Sequence, residues 1–119
     1  MTTLRTITLD DLAAHHAAGH LPHLWNVLTD DYFAGDMIPG SRRVPLDTVG
    51  REVARLGLPR DAAIVVYCAG PSCPQSRMAA EKLAALGFTN VSAFEGGIEE
   101  WAASGRPLDH LVQPVGAAS

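Results

Sequence analysis

Cysteine is scarce in this chain, with Cys68 and Cys73 the two thiols among 119 residues. Two cysteines cannot staple a small secreted fold, and no apolar core follows Met1-Thr2-Thr3-Leu4-Arg5 as it would in an export signal. A reducing cytoplasm is therefore the expected compartment. Basic charge is also sparse, at nine Lys and Arg against thirteen Asp and Glu, for a net charge of −4. With no basic cluster, nucleic acid and anionic membrane are excluded as expected partners. No stretch reaches the roughly 18 consecutive apolar residues of a membrane span. A Gly-rich phosphate motif, a paired general acid and base, a Ser/His/Asp ordering, internal repeats and linkers are all missing. Five histidines are present, but their spacing matches no common ligand set, so neither a metal nor an organic cofactor is expected. What remains is a chain that is 47% hydrophobic and long enough for one core, read as a single domain over 1–119.

The most informative stretch is Ala63-Ile64-Val65-Val66-Tyr67-Cys68, then Ala69-Gly70-Pro71-Ser72-Cys73-Pro74-Gln75, then Ser76 to Leu86. The β-branched run reads as a strand buried on both faces, and the Ala/Leu/Glu/Lys segment as a helix. A thiol thus lies where a buried strand hands over to a helix, on a loop tight enough to aim backbone N–H groups at one spot. An ordinary thiol is only about 3% ionised at neutral pH. Loop amides and the helix start would favour the thiolate, so Cys68 is expected to have a lowered pKa, with Ser76 capping the helix. The competing reading is a small buried hydrophobe that finishes a strand.

Around this centre, Leu4 to Ile7 reads as a short edge strand. Thr8 with Asp11 opens a helix over Leu9 to Ala18 that stops at Gly19. Leu24 to Leu28 reads as a second buried strand, followed by a helical turn from Thr29 to Ala34. The Gly- and Pro-rich turn from Gly35 to Ser41 delivers Arg42-Arg43-Val44 as a third strand, whose two arginines are expected to be solvated. Leu46, Val49, Val53 and Leu56 follow a helical period that Gly57 ends. Val91 to Phe94 alternates as a strand, Ile98 to Ala103 closes as a helix at Gly105, and the tail from about residue 108 is expected to be partly mobile. Strands alternating with helices point to an α/β fold with a mostly parallel sheet, whose ligand site lies beyond the carboxyl ends of the strands, at Cys68.

From about Thr8 to Pro107 the chain resembles a single-domain rhodanese. Gly35 to Ser41 followed by Val44-Pro45-Leu46 is similar to that family's turn after its second strand, and Val65-Val66-Tyr67-Cys68 to the strand that ends in its sulfur-carrying cysteine. Leu86-Gly87-Phe88, Val91, Glu95-Gly96-Gly97-Ile98 with Trp101, and Gly105-Arg106-Pro107 resemble its closing motif. The resemblance implies an open five-stranded sheet with helices on both faces, and sulfur transfer through a persulfide on Cys68 between a small sulfur donor and a thiol or protein acceptor. The chain departs from the pattern at Asn26 and Leu28, where an Asp and an Arg are usual, and at Asp36, where His is usual. Its loop, read as eight residues from Cys68 to Gln75, is longer than the usual six and lacks a basic side chain. Thiosulfate, a dianion, would be held by backbone amides alone and is expected to be a poor donor.

The candidate site is therefore Cys68 with the loop residues Ala69, Gly70, Pro71, Ser72, Pro74, Gln75 and Ser76, and with Cys73 as a second thiol. Cys73 could attack a persulfide or oxidised Cys68 and leave a disulfide, or it could simply fill the loop. Three uses of one fold stay open: sulfurtransferase, thiol redox sensor or reductant, and non-catalytic interaction module. Tyrosine-phosphatase chemistry is excluded by spacing, because Pro74 stands where the phosphate-clamping Arg would be and Arg77 lies already in the helix.

Overall fold

The computed structural model describes residues 5–19 and 23–110. Leu4, His20 and the tail beyond residue 110 lie outside the described residues, and so do the expectations that fall on them. In chain order the strands are β1 (Arg5–Thr6), β2 (His23–Asn26), β3 (Asp36–Met37), β4 (Arg42–Arg43), β5 (Ile64–Tyr67), β6 (Val91–Phe94) and β7 (Asp109–His110). The helices are α1 (Leu9–Ala18), α2 (Val49–Leu56, preceded by a 3₁₀ turn at Leu46–Thr48), α3 (Gln75–Ala85) and α4 (Gly97–Ala103).

Five strands pair in the order β1-β6-β5-β2-β4, all parallel, which puts β5 at the centre. Because side chains alternate across a strand, β5 feeds both faces. Ile64 and Val66 pack with Trp25, Val49, Val53, Ala79 and Leu83 under α2 and α3. Val65 and Tyr67 pack with Leu12, Leu24, Phe94 and Trp101 under α1 and α4. Helices thus cover both faces of an open parallel sheet. Burial at about 25 cal/mol per Å² of apolar surface makes these two layers the main stabilising term.

Local signals set the boundaries. The Thr8 hydroxyl accepts from the Asp11 N–H at 3.1 Å, and Gly19 ends α1 in the left-handed conformation, φ 73°. Gly57 ends α2 in the same way, φ 64°. Two features differ from the sequence reading. Asp36–Met37 forms a small antiparallel ribbon with Asp109–His110, so the Gly35–Ser41 segment is more than a turn. Arg43 is not a solvated edge residue, since its side chain is 14% exposed, bridges Asp30 at 2.9 Å and lies 4.1 Å over the Phe33 ring. Burial lowers its pKa, against Asp30, which raises it. Arg42 remains half-exposed beside Glu52.

Candidate functional site

Cys68 follows the last residue of β5, at the carboxyl end of the central strand, and is fully buried. Alternation along β5 sends its side chain toward α3, where the N–H and hydroxyl of Ser76 face the sulfur. The opposite contact comes from the loop, where the Cys68 thiol donates to the Cys73 carbonyl at 3.3 Å and the Cys73 thiol lies beside it.

These surroundings reverse the expected ionisation. Burial first, then the neighbouring Cys73 side chain, push the Cys68 thiol above its ordinary pKa, and the two Ser76 groups only partly oppose this. Orientation adds to burial: a carbonyl oxygen against Sγ favours the protonated thiol, and the Cys73 amide is spent on the Gly70 carbonyl at 3.0 Å. Of the expected loop amides, that of Cys73 is thus turned away from the sulfur, while the Ser76 N–H faces it. Ser76 does not cap the helix either. Pro74 occupies that position and Ser76 is buried in the first turn, where its hydroxyl is free to meet the thiol. With α3 starting at Gln75, the loop from Cys68 ends at Pro74 and is one residue shorter than the sequence suggested.

The loop base is held from two sides. The amides of Ile98 and Glu99, at the start of α4, donate to the carbonyls of Cys68 and Ala69 at 3.1 and 2.8 Å. Gly97, at φ +59°, lets the backbones touch, because an added Cβ would lie 2.8 Å from the Ala69 carbonyl carbon and 2.9 Å from the Gly70 nitrogen. On the other side, Gln75 accepts from the Thr29 N–H and donates to the Thr29 hydroxyl, both at 3.0 Å, tying α3 to the segment after β2. Sequence reasoning singled out Gly97 and Gln75 but assigned neither this task. The glycine pair ahead of a helix was the available signal for the first, and nothing local pointed to Thr29.

The remaining loop residues divide by exposure. Gly70 is buried beneath the Glu99 carboxylate, Ala69, Cys73 and Gln75 are partly exposed, and Pro71, Ser72 and Pro74 face outward. Pro71 lines a groove of about 470 Å³ whose other walls are Glu95, Gly96, Glu99, Glu100 and Ala103. Arg77, on the first turn of α3, is bound to Glu95 at 2.8 Å.

The departures at Asn26 and Asp36 have a structural use. Buried Asn26 donates to the Asp36 carbonyl at 3.3 Å and to Met37 Sδ at 3.4 Å, and accepts from the Leu28 N–H at 3.1 Å. Next to it, the Tyr67 hydroxyl accepts from the Ile38 N–H and shares a 2.7 Å hydrogen bond with Ser41, locking the segment before β4 onto β5. Burial pushes this tyrosine's pKa up. The described histidines are dispersed, with His16 bonded to the Pro39 carbonyl, His23 beside Trp25, and His110 paired with Asp36.

A family model described as the rhodanese-like domain matches residues 8–104. Among solved structures, one of a Bacillus halodurans protein is 25% identical with a TM-score of 0.78, covering 89% of this chain and 77% of that one. A rhodanese-like domain from an Anabaena protein, solved by NMR, is 22% identical with a TM-score of 0.77, covering 94% of this chain and 83% of that one. Thiosulfate sulfurtransferase from Pseudomonas aeruginosa is 22% identical with a TM-score of 0.79, over 92% of this chain but 21% of that one. At such identities these last two likenesses concern the fold. No curated protein matches the sequence.

Proposed function

The chain belongs to the rhodanese-like domain family, and from that premise we propose that it is a sulfurtransferase carrying sulfane sulfur as a persulfide on Cys68, with Cys73 as a second thiol of the cycle. The observation that carries the reading is the position of Cys68: a thiol at the carboxyl end of the central parallel strand, met by the hydroxyl and N–H of Ser76. A sulfur donor would transfer its outer sulfur to the Cys68 thiolate, and a thiol or protein acceptor would take it away. The Ser76 N–H and hydroxyl can donate to the anionic sulfur when the proton leaves. This needs no metal and no organic cofactor, and it suits a reducing cytoplasm in which both thiols stay free.

Small dianions fit this site poorly. The loop carries no cation, Arg77 is engaged by Glu95, and the adjoining groove is lined by three glutamates. Thiosulfate is thus a weak donor in this reading, although a structural neighbour is a thiosulfate sulfurtransferase, and a persulfide donor is preferred. A second reading, a thiol redox sensor or reductant, is favoured by the contact of Cys68 with Cys73. Among the described residues no helix is long and apolar enough to cross a membrane.

Intact mass after exposure to inorganic polysulfide separates these uses. Sulfur transfer gives a gain of one sulfur that peptide mapping places on Cys68 in the wild type. The redox reading gives a loss of two hydrogens, and an interaction module gives no change. Failure to gain sulfur at Cys68 would overturn the proposal.

A further inference from the structure

Cys68 poses a problem of access. Its thiol is fully buried, its carbonyl and that of Ala69 are pinned by the Ile98 and Glu99 amides, and Gly97 abuts the same backbone. The other end of the loop is fixed by the Gln75–Thr29 pair of hydrogen bonds. Between these clamps lies the turn closed by the Cys73 N–H on the Gly70 carbonyl, with Pro71 and Ser72 outward. Cys73 stands on this turn as a partly exposed residue, its carbonyl accepting from the Cys68 thiol and its own thiol beside that sulfur. A carrier of any bulk can reach Cys73 but not Cys68.

We infer that Cys73 is the port through which sulfane sulfur enters and leaves Cys68. The inference rests on the persulfide reading above and adds a relay to it. In loading, the Cys73 thiolate attacks the outer sulfur of a donor R–S–SH, the donor's S–S bond breaks, and R–SH departs with the proton. In the second step the Cys68 sulfur attacks the outer sulfur of the Cys73 persulfide. The S–S bond at Cys73 breaks, a new one forms at Cys68, and the proton given up by Cys68 ends on the Cys73 sulfur. Unloading runs the same exchange backwards onto an acceptor thiol. One sulfane sulfur moves and the thiol count is unchanged, so no oxidant or reductant is required. The interaction of the two side chains on one loop makes the middle step intramolecular, and the burial of Cys68 suits a storage site that reacts with its neighbour rather than with solvent.

The test compares two donors of different size, inorganic polysulfide and a short peptide bearing a cysteine persulfide, on wild type, Cys73→Ser, Cys73→Ala and Cys68→Ser, with sulfur located by peptide mapping. In wild type both donors load Cys68. In both Cys73 variants the rate with the peptide persulfide, relative to that with polysulfide, falls by at least about tenfold. In Cys68→Ser the peptide donor still places sulfur on Cys73. Circular dichroism of each variant separates a folding defect from a lost port, and the Ala variant stands in if the Ser variant does not fold. Equal relative rates in the Cys73 variants would overturn the relay. So would a wild type that passes directly to a Cys68–Cys73 disulfide with release of sulfide, because Cys73 would then resolve the persulfide rather than hand it on. If neither donor leaves sulfur on any form, it is the persulfide reading itself that fails, a result distinct from either of these.

Discussion

Replacing Gly97 with alanine tests whether the closing helix holds the cysteine loop. Two penalties add at this position. A residue with a Cβ in the left-handed region costs about 1–2 kcal/mol, and Gly97 sits at φ +59°. The new methyl would also press on the carbonyl of Cys68 and lie 2.8 and 2.9 Å from backbone atoms of Ala69 and Gly70, contacts that no flexible side chain can relieve. Overpacking of this kind costs about 1–3 kcal/mol, for a total of about 2–5 kcal/mol. With an unfolding entropy of about 2.1 cal/mol/K per residue, that is a fall in Tm of about 8–20 °C. Gly57 is the control, because it has φ +64° and no atom within 4 Å of an added Cβ. Gly57→Ala should lower Tm by only about 4–8 °C, the backbone penalty alone. Thermal unfolding followed by circular dichroism measures both, and alkylation mapped to Cys68 should be faster in Gly97→Ala because the loop must move off its seat. If Gly97→Ala proves as stable as Gly57→Ala, with Cys68 equally protected, the loop is not clamped as described.

Three further outcomes follow from the same contacts. Gln75→Ala removes both hydrogen bonds to Thr29 and should cost about 1–2 kcal/mol in urea unfolding, whereas no loss would show the pair to be incidental. Asn26→Asp keeps the acceptor for the Leu28 N–H but turns a carboxylate toward the Asp36 carbonyl, at a cost of about 2–4 kcal/mol near neutral pH. That cost should shrink as pH falls and the carboxyl takes a proton, so an equal loss at pH 7 and pH 4 would contradict it. For Cys68, whose pKa is raised by burial and then by Cys73, the folded chain keeps a proton that the unfolded chain releases above about pH 8.5. The resulting stability is present below that pH and lost above it. The Tm of wild type minus that of Cys68→Ser should therefore decline from pH 8 to 10, and a rise would mean that the thiolate is the favoured native form.

Most of the sheet was legible because its strands and helices carry their own signals. Ile64 to Tyr67 is apolar at every position as a doubly covered strand must be, and α1 is bracketed by Thr8 and Gly19. The β3–β7 ribbon was not legible, since two-residue strands some seventy positions apart leave no periodicity. The identity of the site was readable, but its electrostatics were not. Gly, Pro and Ser in a loop before a helix announce a tight turn without saying which way each peptide faces. Here the two peptides that flank Cys73 turn its carbonyl to the sulfur and its amide to the Gly70 carbonyl. Arg43 was misread for a related reason: Phe33 and Asp30, which enclose it, approach from a different segment.

The charge around the loop makes a last prediction possible. Ser72 is exposed on a turn that carries no cation, and the groove beside it is lined by Glu95, Glu99 and Glu100. A dianionic donor approaching this mouth meets carboxylates and no free guanidinium from the loop. Ser72→Arg would place one positive charge on the approach path without touching the Cys68 contacts. At a solvent-exposed position the attraction for a dianion is worth about 0.5–1 kcal/mol, which is about a two- to fivefold rise in kcat/KM for thiosulfate at low ionic strength. Because exposed charges are screened within about 8 Å at physiological salt and about 3 Å at 1 M, the gain should fade as salt is added. Use of a monoanionic persulfide donor should rise by a smaller factor under the same substitution. If the gain persisted at high salt, or were as large with the monoanionic donor, the substitution would be acting on loop conformation. The proposed preference against thiosulfate could not then be ascribed to missing positive charge.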